Sequence, residues 1–189
     1  MAHHITQDLI QLKIAVLTVS DTRNIITDSS GEVLIDSLKA EGHELVERRI
    51  VSDDIYKIRA VLSQWIADEE TQVVLITGGT GFTSRDSTPE AITPLLEKII
   101  EGYGEIFRSV SVSQIGTSTL QSRAIAGLTN NTLVFSMPGS NNACKTAWNE
   151  IIKDQIDSRQ GPCNFVPHLK NIDIRACISR EKIACNMAD

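Results

Sequence analysis

Between Thr77 and Pro89 the sequence reads TGGTGFTSRDSTP, the stretch whose residue types are best suited to chemistry. Gly78, Gly79 and Gly81, with Thr80 among them, let backbone N–H groups approach a ligand closely, because glycine tolerates the conformations a tight loop requires. Ser87, Thr88 and Pro89 suit a helix start, which would add the positive end of a helix dipole. The combination is either an anion site or a plain tight turn. Arg85 and Asp86, just past the loop glycines, are either a solvated pair or part of that site. A carboxylate repels a phosphate, but beside one it can hold Mg²⁺, which bridges carboxylate and phosphate oxygens. No Gly-Lys-Ser/Thr follows, as a P-loop requires, and Ser84 stands where the dinucleotide fingerprint has its third glycine.

Smaller groups repeat the theme. Pro138-Gly139-Ser140 pairs a glycine that permits close approach with a serine that either caps a helix or donates to an oxyanion. Ser118, Thr119, Ser122 and Arg123 are either helix-start residues or phosphate donors. Asp53 and Asp54 are either acids at a helix N-terminus, each contributing ~0.3–1 kcal/mol there, or cation holders. Cys144 falls in a first helical turn, where a thiolate is favoured, yet no base stands near it in sequence. The four cysteines form no C-x-x-C pair, no clustered histidines accompany them, and zinc is not expected. His3-His4 reads as a frayed terminus.

These residues need elements to position them. Ile14–Val19, Val73–Ile76 and Thr132–Met137 are apolar runs typical of strands covered on both faces. Leu45–Val51 is a further strand, and its charged Glu47-Arg48-Arg49 places it nearer a sheet edge. Val33, Leu34 and Leu38 mark one helix, ended by Gly42. Ile55, Ile58, Leu62 and Trp65 mark a second, opened by Ser52-Asp53-Asp54. A third helix is expected from Pro89 to about Glu97. A long one follows Ser140 and carries Ala147, Trp148, Ile151, Ile152 and Ile156. Gly102 and Gly104 are expected to break any long element over Ile99–Ile115, and Gly116–Gly127 reads as a short capped helix. Residues 171–189 are expected to add a helical tail. The alternation predicts an α/β fold: a three-layer, doubly wound, mostly parallel sheet with helices on both faces. The first and third strands should be neighbours at the reversal point. Ser20-Asp21, Gly78–Gly81 and Pro138–Ser140 would then share the rim at the strands' carboxyl ends.

Composition narrows the function. A 189-residue chain of net charge −6 is of single-domain size and lacks the basic excess of a general nucleic-acid surface. MAHHITQDLIQLK has no basic start followed by a long apolar run, and no run approaches the ~20 residues of a membrane span, so a cytoplasmic protein is expected.

TGGTGFTSRDSTPEAI (Thr77–Ile92) and MPGSNNACKTAW (Met137–Trp148) resemble the two hallmark loops of the molybdenum-cofactor biosynthesis family that contains MoaB, MogA and the gephyrin G domain. VSD (Val19–Asp21), DSSG (Asp28–Gly31) and SRAIAG (Ser122–Gly127) resemble further family motifs in the same order, and GPCNFVPHLK (Gly161–Lys170) is similar to the MoaB branch. The resemblance implies one molybdopterin-binding α/β domain over residues 1–170, with 1–12 as an extension and 171–189 as a tail of no assigned role. It implies molybdopterin and ATP as substrates and Mg²⁺ as cofactor. The implied reaction is adenylylation of molybdopterin before molybdate insertion, with a non-catalytic molybdopterin carrier as the alternative. Asp86 matches the family's essential aspartate and Asp53 its second acid, with Asp54 competing for that place, and both would hold Mg²⁺. Ser20, Gly78, Gly79, Thr80, Gly81, Ser122, Pro138, Gly139 and Ser140 match the pterin- and phosphate-contacting loops, and Arg85 would help clamp a phosphate. The family further implies a homo-oligomer, trimer or hexamer, and contacts with other proteins of the pathway.

Overall fold

The computed structural model of the chain describes residues 8–172. His3, His4 and the expected tail beyond Ile172 lie outside the described residues. Six strands, β1 (Lys13–Val19), β2 (Glu44–Val51), β3 (Val73–Thr77), β4 (Lys98–Ile99), β5 (Ile125–Thr129) and β6 (Thr132–Met137), form one sheet in the order β2-β1-β3-β6-β5-β4. β1 pairs in parallel with β2 and β3, and β3 with β6, whereas β5 runs antiparallel to both β6 and β4. β1 and β3 are neighbours and β2 is an edge strand, as expected.

The helices are α1 (Ser29–Ala40), α2 (Ile55–Ala67), α3 (Thr88–Ile92), α4 (Glu101–Ile115) and α5 (Asn141–Ala147), the last running through a π turn (Trp148–Ile152) to Gln155. Alternate strand residues feed two cores, because successive side chains leave a strand on opposite faces. Ile14, Val16, Leu75 and Phe135 pack with Leu34 and Leu38 of α1, Phe107 of α4 and Trp148. Ala15, Leu17, Val74 and Ile76 pack with Ile58, Leu62 and Trp65 of α2 and Ile92 of α3. Each large apolar side chain buried this way contributes roughly 1.5–3 kcal/mol, so the helices are held chiefly by these faces.

Three expectations are corrected. Ile99–Ile115 is not broken by its glycines. A 15-residue helix covers Glu101–Ile115, because Tyr103, Phe107 and Ser111 bury one stripe at spacings of four. Gly104 is a packing requirement there, since a Cβ would lie 2.6 Å from the Ala124 carbonyl oxygen. Gly116–Gly127 is not one helix: a 3₁₀ segment, Gly116–Gln121, precedes β5. Gly127 lies within that strand, where a Cβ would meet Leu96 Cδ1 at 2.7 Å and the Lys98 carbonyl at 2.8 Å. The helix expected from Pro89 to Glu97 ends at Ile92 and tightens to a 3₁₀ turn, Thr93–Leu95, where Pro94 has no N–H to continue the α ladder.

This topology positions the site. The register pairs Thr18 with Thr77 and Thr77 with Met137, so the parallel strands β1, β3 and β6 end side by side. Antiparallel β5 begins at that same rim, with Ile125 opposite Ser136, which brings Ser122 and Arg123 beside the glycine loop.

Candidate functional site

The three strand ends do share one rim, and they lie nearly in contact. Gly78 has φ +104°, and a Cβ there would stand 2.2 Å from the Val19 carbonyl oxygen. Across the rim, a Cβ on Gly139 would lie 3.1 Å from Gly78 Cα, and the Gly78 N–H donates to the Met137 carbonyl at 3.0 Å. Gly79 adopts φ +64° with its own Cβ position 2.6 Å from Asp53 Oδ2. The glycines are therefore required by close backbone approach and by left-handed geometry.

Two carboxylates flank this loop. Asp86 accepts from Thr83 through N–H at 2.9 Å and Oγ1–H at 2.6 Å. The Thr83 hydroxyl and the Thr83 and Gly81 amides hold its pKa below the usual carboxylate value against the opposing effect of burial. Asp53 reaches the loop from the end of β2, accepting at Oδ1 from the Ser87 amide (3.0 Å) and hydroxyl (2.6 Å). Asp54 does different work. It caps α2, accepting from Tyr56 N–H at 2.9 Å and Lys57 N–H at 3.0 Å. Of the two adjacent acids, Asp53 is the one at the glycine loop.

The remaining expected residues divide. Arg85 grips Asp21 side-on, with Nε 3.0 Å from Oδ2 and Nη2 2.8 Å from Oδ1, and Asp21 also accepts from the Asp53 amide at 3.1 Å. The Arg85 guanidinium, with the Asp53 amide, lowers the Asp21 pKa. Ser20 Oγ accepts from the amides of Thr22 (3.3 Å) and Arg23 (3.2 Å), shaping the turn after β1. Ser140 caps α5, accepting from Ala143 N–H at 3.1 Å. Thr80 is buried within the loop. Ser122 stands half-buried before β5, and its neighbour Arg123 is the side chain that reaches the glycine loop. α3 does start at the Ser87-Thr88-Pro89 trio, but its N-cap residue Ser87 makes no side-chain cap bond. Its hydroxyl goes to Asp53, while the Thr88 hydroxyl donates to the Gly78 carbonyl at 2.8 Å. Burial pushes the Cys144 thiol up to about 11, against a bond from Thr77, so this cysteine is no thiolate.

Three residues noted in the sequence, Asp21, Asp28 and Arg48, prove to have side-chain roles that their spacing did not assign. Asp21 joins the ends of β1 and β2 to Arg85. Asp28, 2% exposed, caps α1 and accepts from Thr18 Oγ1 at 2.7 Å, Gly31 N–H at 2.9 Å and Arg48 Nη2 at 3.0 Å. Burial alone would raise its pKa, but these donors outweigh it and the net shift is downward. Arg48 explains why a charged run sits in an edge strand: it neutralises Asp28 from β2 and reaches Glu32 at 2.7 Å. The signal for Asp28 was its place in DSSG, ahead of a helical pattern.

A sequence profile described as a probable molybdopterin binding domain matches residues 15–158, which include the glycine loop, both flanking carboxylates and the Pro138–Ser140 turn. The chain belongs to this family. Molybdenum cofactor biosynthesis protein B of Escherichia coli (strain K12) is 54% identical over 166 residues, covering 88% of this chain and 98% of that protein. A crystal structure of a molybdenum cofactor biosynthesis protein B superposes with TM-score 0.75 at 43% identity, over 77% of this chain and 91% of that one. The tungsten cofactor synthesizing protein MoaB from Pyrococcus furiosus superposes with TM-score 0.70 at 39% identity, over 77% and 92% of the two chains. Like other open α/β sheets, which bind ligands at the carboxyl ends of strands beside a reversal of order, the chain carries its glycine loop there.

Chemically the rim suits a substrate bearing phosphates and a cation that accompanies them. Among the described residues no group of three or more His, Cys, Asp or Glu could hold a metal ion. Asp53 and Asp86 supply two carboxylates. That donor set fits Mg²⁺, which takes one or two carboxylates and completes its shell with water and substrate phosphate oxygens.

Proposed function

We propose that the chain works in molybdenum cofactor biosynthesis by binding molybdopterin at the glycine-loop rim and adenylylating it with Mg-ATP. The observation that carries this reading is the approach of two carboxylates to the glycine loop, with Asp53 Oδ2 2.6 Å from the Cβ position of Gly79 and Asp86 Oδ2 2.8 Å from that of Gly81. In the reaction a molybdopterin phosphate oxygen bonds to the α-phosphorus of ATP, and the bond from that phosphorus to the β-phosphate bridging oxygen breaks, releasing pyrophosphate. Two anions must meet, so catalysis consists of positioning and charge neutralisation rather than of a side-chain nucleophile. Mg²⁺, held by Asp53 and Asp86 together with phosphate oxygens, would supply most of that neutralisation.

The chain's own groups do the rest. The Gly78 and Gly81 amides are engaged by the Met137 carbonyl and the Asp86 carboxylate, so the amides of Gly79 and Thr80 between them are the loop donors offered to phosphate. Arg85 lies exposed on Asp21, and an arriving phosphate competes with that carboxylate for its planar fork. Gly139 adjoins the loop, its Cβ position 3.1 Å from Gly78 Cα, which leaves the Pro138–Ser140 turn to border the bound phosphates. The test is incubation with molybdopterin and Mg-ATP, following adenylylated molybdopterin and pyrophosphate. Both products are expected in equal amounts. Tight molybdopterin binding without either product would make the chain a carrier.

A further inference from the structure

The run before β5 carries a side chain that touches the loop at both ends. Arg123 donates from Nε to the Thr80 carbonyl at 3.2 Å and from Nη2 to the Asp86 carbonyl at 2.9 Å. Its Nη1 pairs with Glu90 of α3, and its guanidinium carbon lies 5.0 Å from the centroid of the Phe82 ring, itself 69% exposed. We propose that Arg123 is a positioning residue: a latch that closes the Thr80–Asp86 loop and so fixes where the Asp86 carboxylate points.

The bonds inside the loop are local. Thr83 N–H and Oγ1–H go to Asp86, and the Asp86 amide returns to the Thr83 carbonyl at 3.1 Å. Such a turn can keep its own shape while swinging as a unit about its two ends. Arg85 ties the outer part of the loop to Asp21 through an exposed ion pair, but that contact does not join the loop's two ends to each other. Arg123 joins them from 43 and 37 residues away in sequence, with one fork spanning the two end carbonyls. Glu90 holds the far side of the guanidinium, and Phe82 covers a flat face. Lysine would keep the charge towards Glu90, but its single ammonium lacks the rigid planar fork that serves two carbonyls at once. The antiparallel entry of β5 at this rim is what makes the grip possible.

That Asp86 is the group worth positioning rests on the proposed reaction, whereas the latch itself does not. Hydrogen exchange on the ligand-free chain therefore tests it first, read at the amides of Gly81, Thr83 and Asp86. Arg123→Ala should speed exchange there by about tenfold or more, as expected for losing charge-assisted hydrogen bonds, while Val74–Ile76 in β3 stay as protected as in the wild type. Arg123→Lys should not restore the protection. Glu90→Gln should retain it, because a half-exposed ion pair contributes little by itself. Unchanged loop exchange in Arg123→Ala overturns the latch, and so does full protection in Arg123→Lys. Equal acceleration in β3 overturns it too, since Arg123 would then support the whole fold. In turnover, Arg123→Ala should lower kcat at an unchanged KM for molybdopterin, and a rise in KM alone would overturn the positioning of Asp86. A wild type that forms no adenylylated product would refute the proposed reaction and leave the exchange result to decide the latch.

Discussion

Adding one methyl group at Gly78 should disable the rim. In Gly78→Ala the new Cβ would lie 2.2 Å from the Val19 carbonyl oxygen, whereas ordinary contact begins near 3.4 Å, so more than an ångström of movement is forced. The obstacle is backbone at the end of a central strand, which cannot rotate away. The φ of +104° adds strain of about 1–2 kcal/mol for any residue with a Cβ. Clash and strain together should cost about 2–4 kcal/mol, a loss of roughly 4–16 °C in Tm for a chain of this length. Turnover should fall further than stability does, because misplacing reacting groups by about 1 Å can cost ~100-fold. Gly102→Ala is the matched control. It lies in α4 with nothing within 4 Å of its Cβ position, and should stabilise by about 0.5–1 kcal/mol with turnover unchanged. Thermal unfolding and product formation measure all three proteins. A Gly78→Ala variant that melts with the wild type and turns over normally would refute the close-approach argument.

The two adjacent acids at the end of β2 should separate by assay. Asp54→Ala removes the α2 cap and should cost about 1 kcal/mol in denaturant unfolding with turnover kept, whereas Asp53→Asn should abolish turnover at little cost in stability. His43 should make stability depend on pH. It is buried, its Nδ1 accepts from the Leu12 amide at 3.2 Å, and burial pushes its pKa below 6.5 against the raising influence of Asp157 and Glu41. The unfolded chain therefore takes up the proton first, and stability should fall as pH drops below 6.5, a slope that His43→Asn should flatten in urea titrations.

The parallel part of the fold was legible because β1, β3 and β6 are apolar runs buried on both faces, and α1 and α2 follow a plain 3.6-residue period. The antiparallel half was not. β4 is two exposed residues, and β5 carries Gly127 mid-strand for the close approach of Leu96 and Lys98, a reason visible only in three dimensions. One local signal was available. Asn130 and Asn131, with φ of 44° and 55°, turn between two apolar runs as the central pair of a hairpin. At the candidate site, residue type and spacing left the glycine loop as an anion site or a tight turn, and it was the family resemblance that singled out Asp86. The choice of Asp53 over Asp54 required knowing which carboxylate caps α2 and which meets Ser87. Arg123 was visible as a residue but not in its role, because its partners lie about forty residues earlier in the chain.

In the proposed reaction Asp86 holds the charge that lets the glycine loop do chemistry. Asp86→Asn keeps the size of the side chain and an acceptor oxygen for Thr83 while removing the charge. Molybdopterin affinity and adenylylated product should be measured side by side in this variant and the wild type. Affinity should stay within about threefold while turnover falls by about a hundredfold or more. Undiminished turnover in Asp86→Asn would contradict this role for the carboxylate.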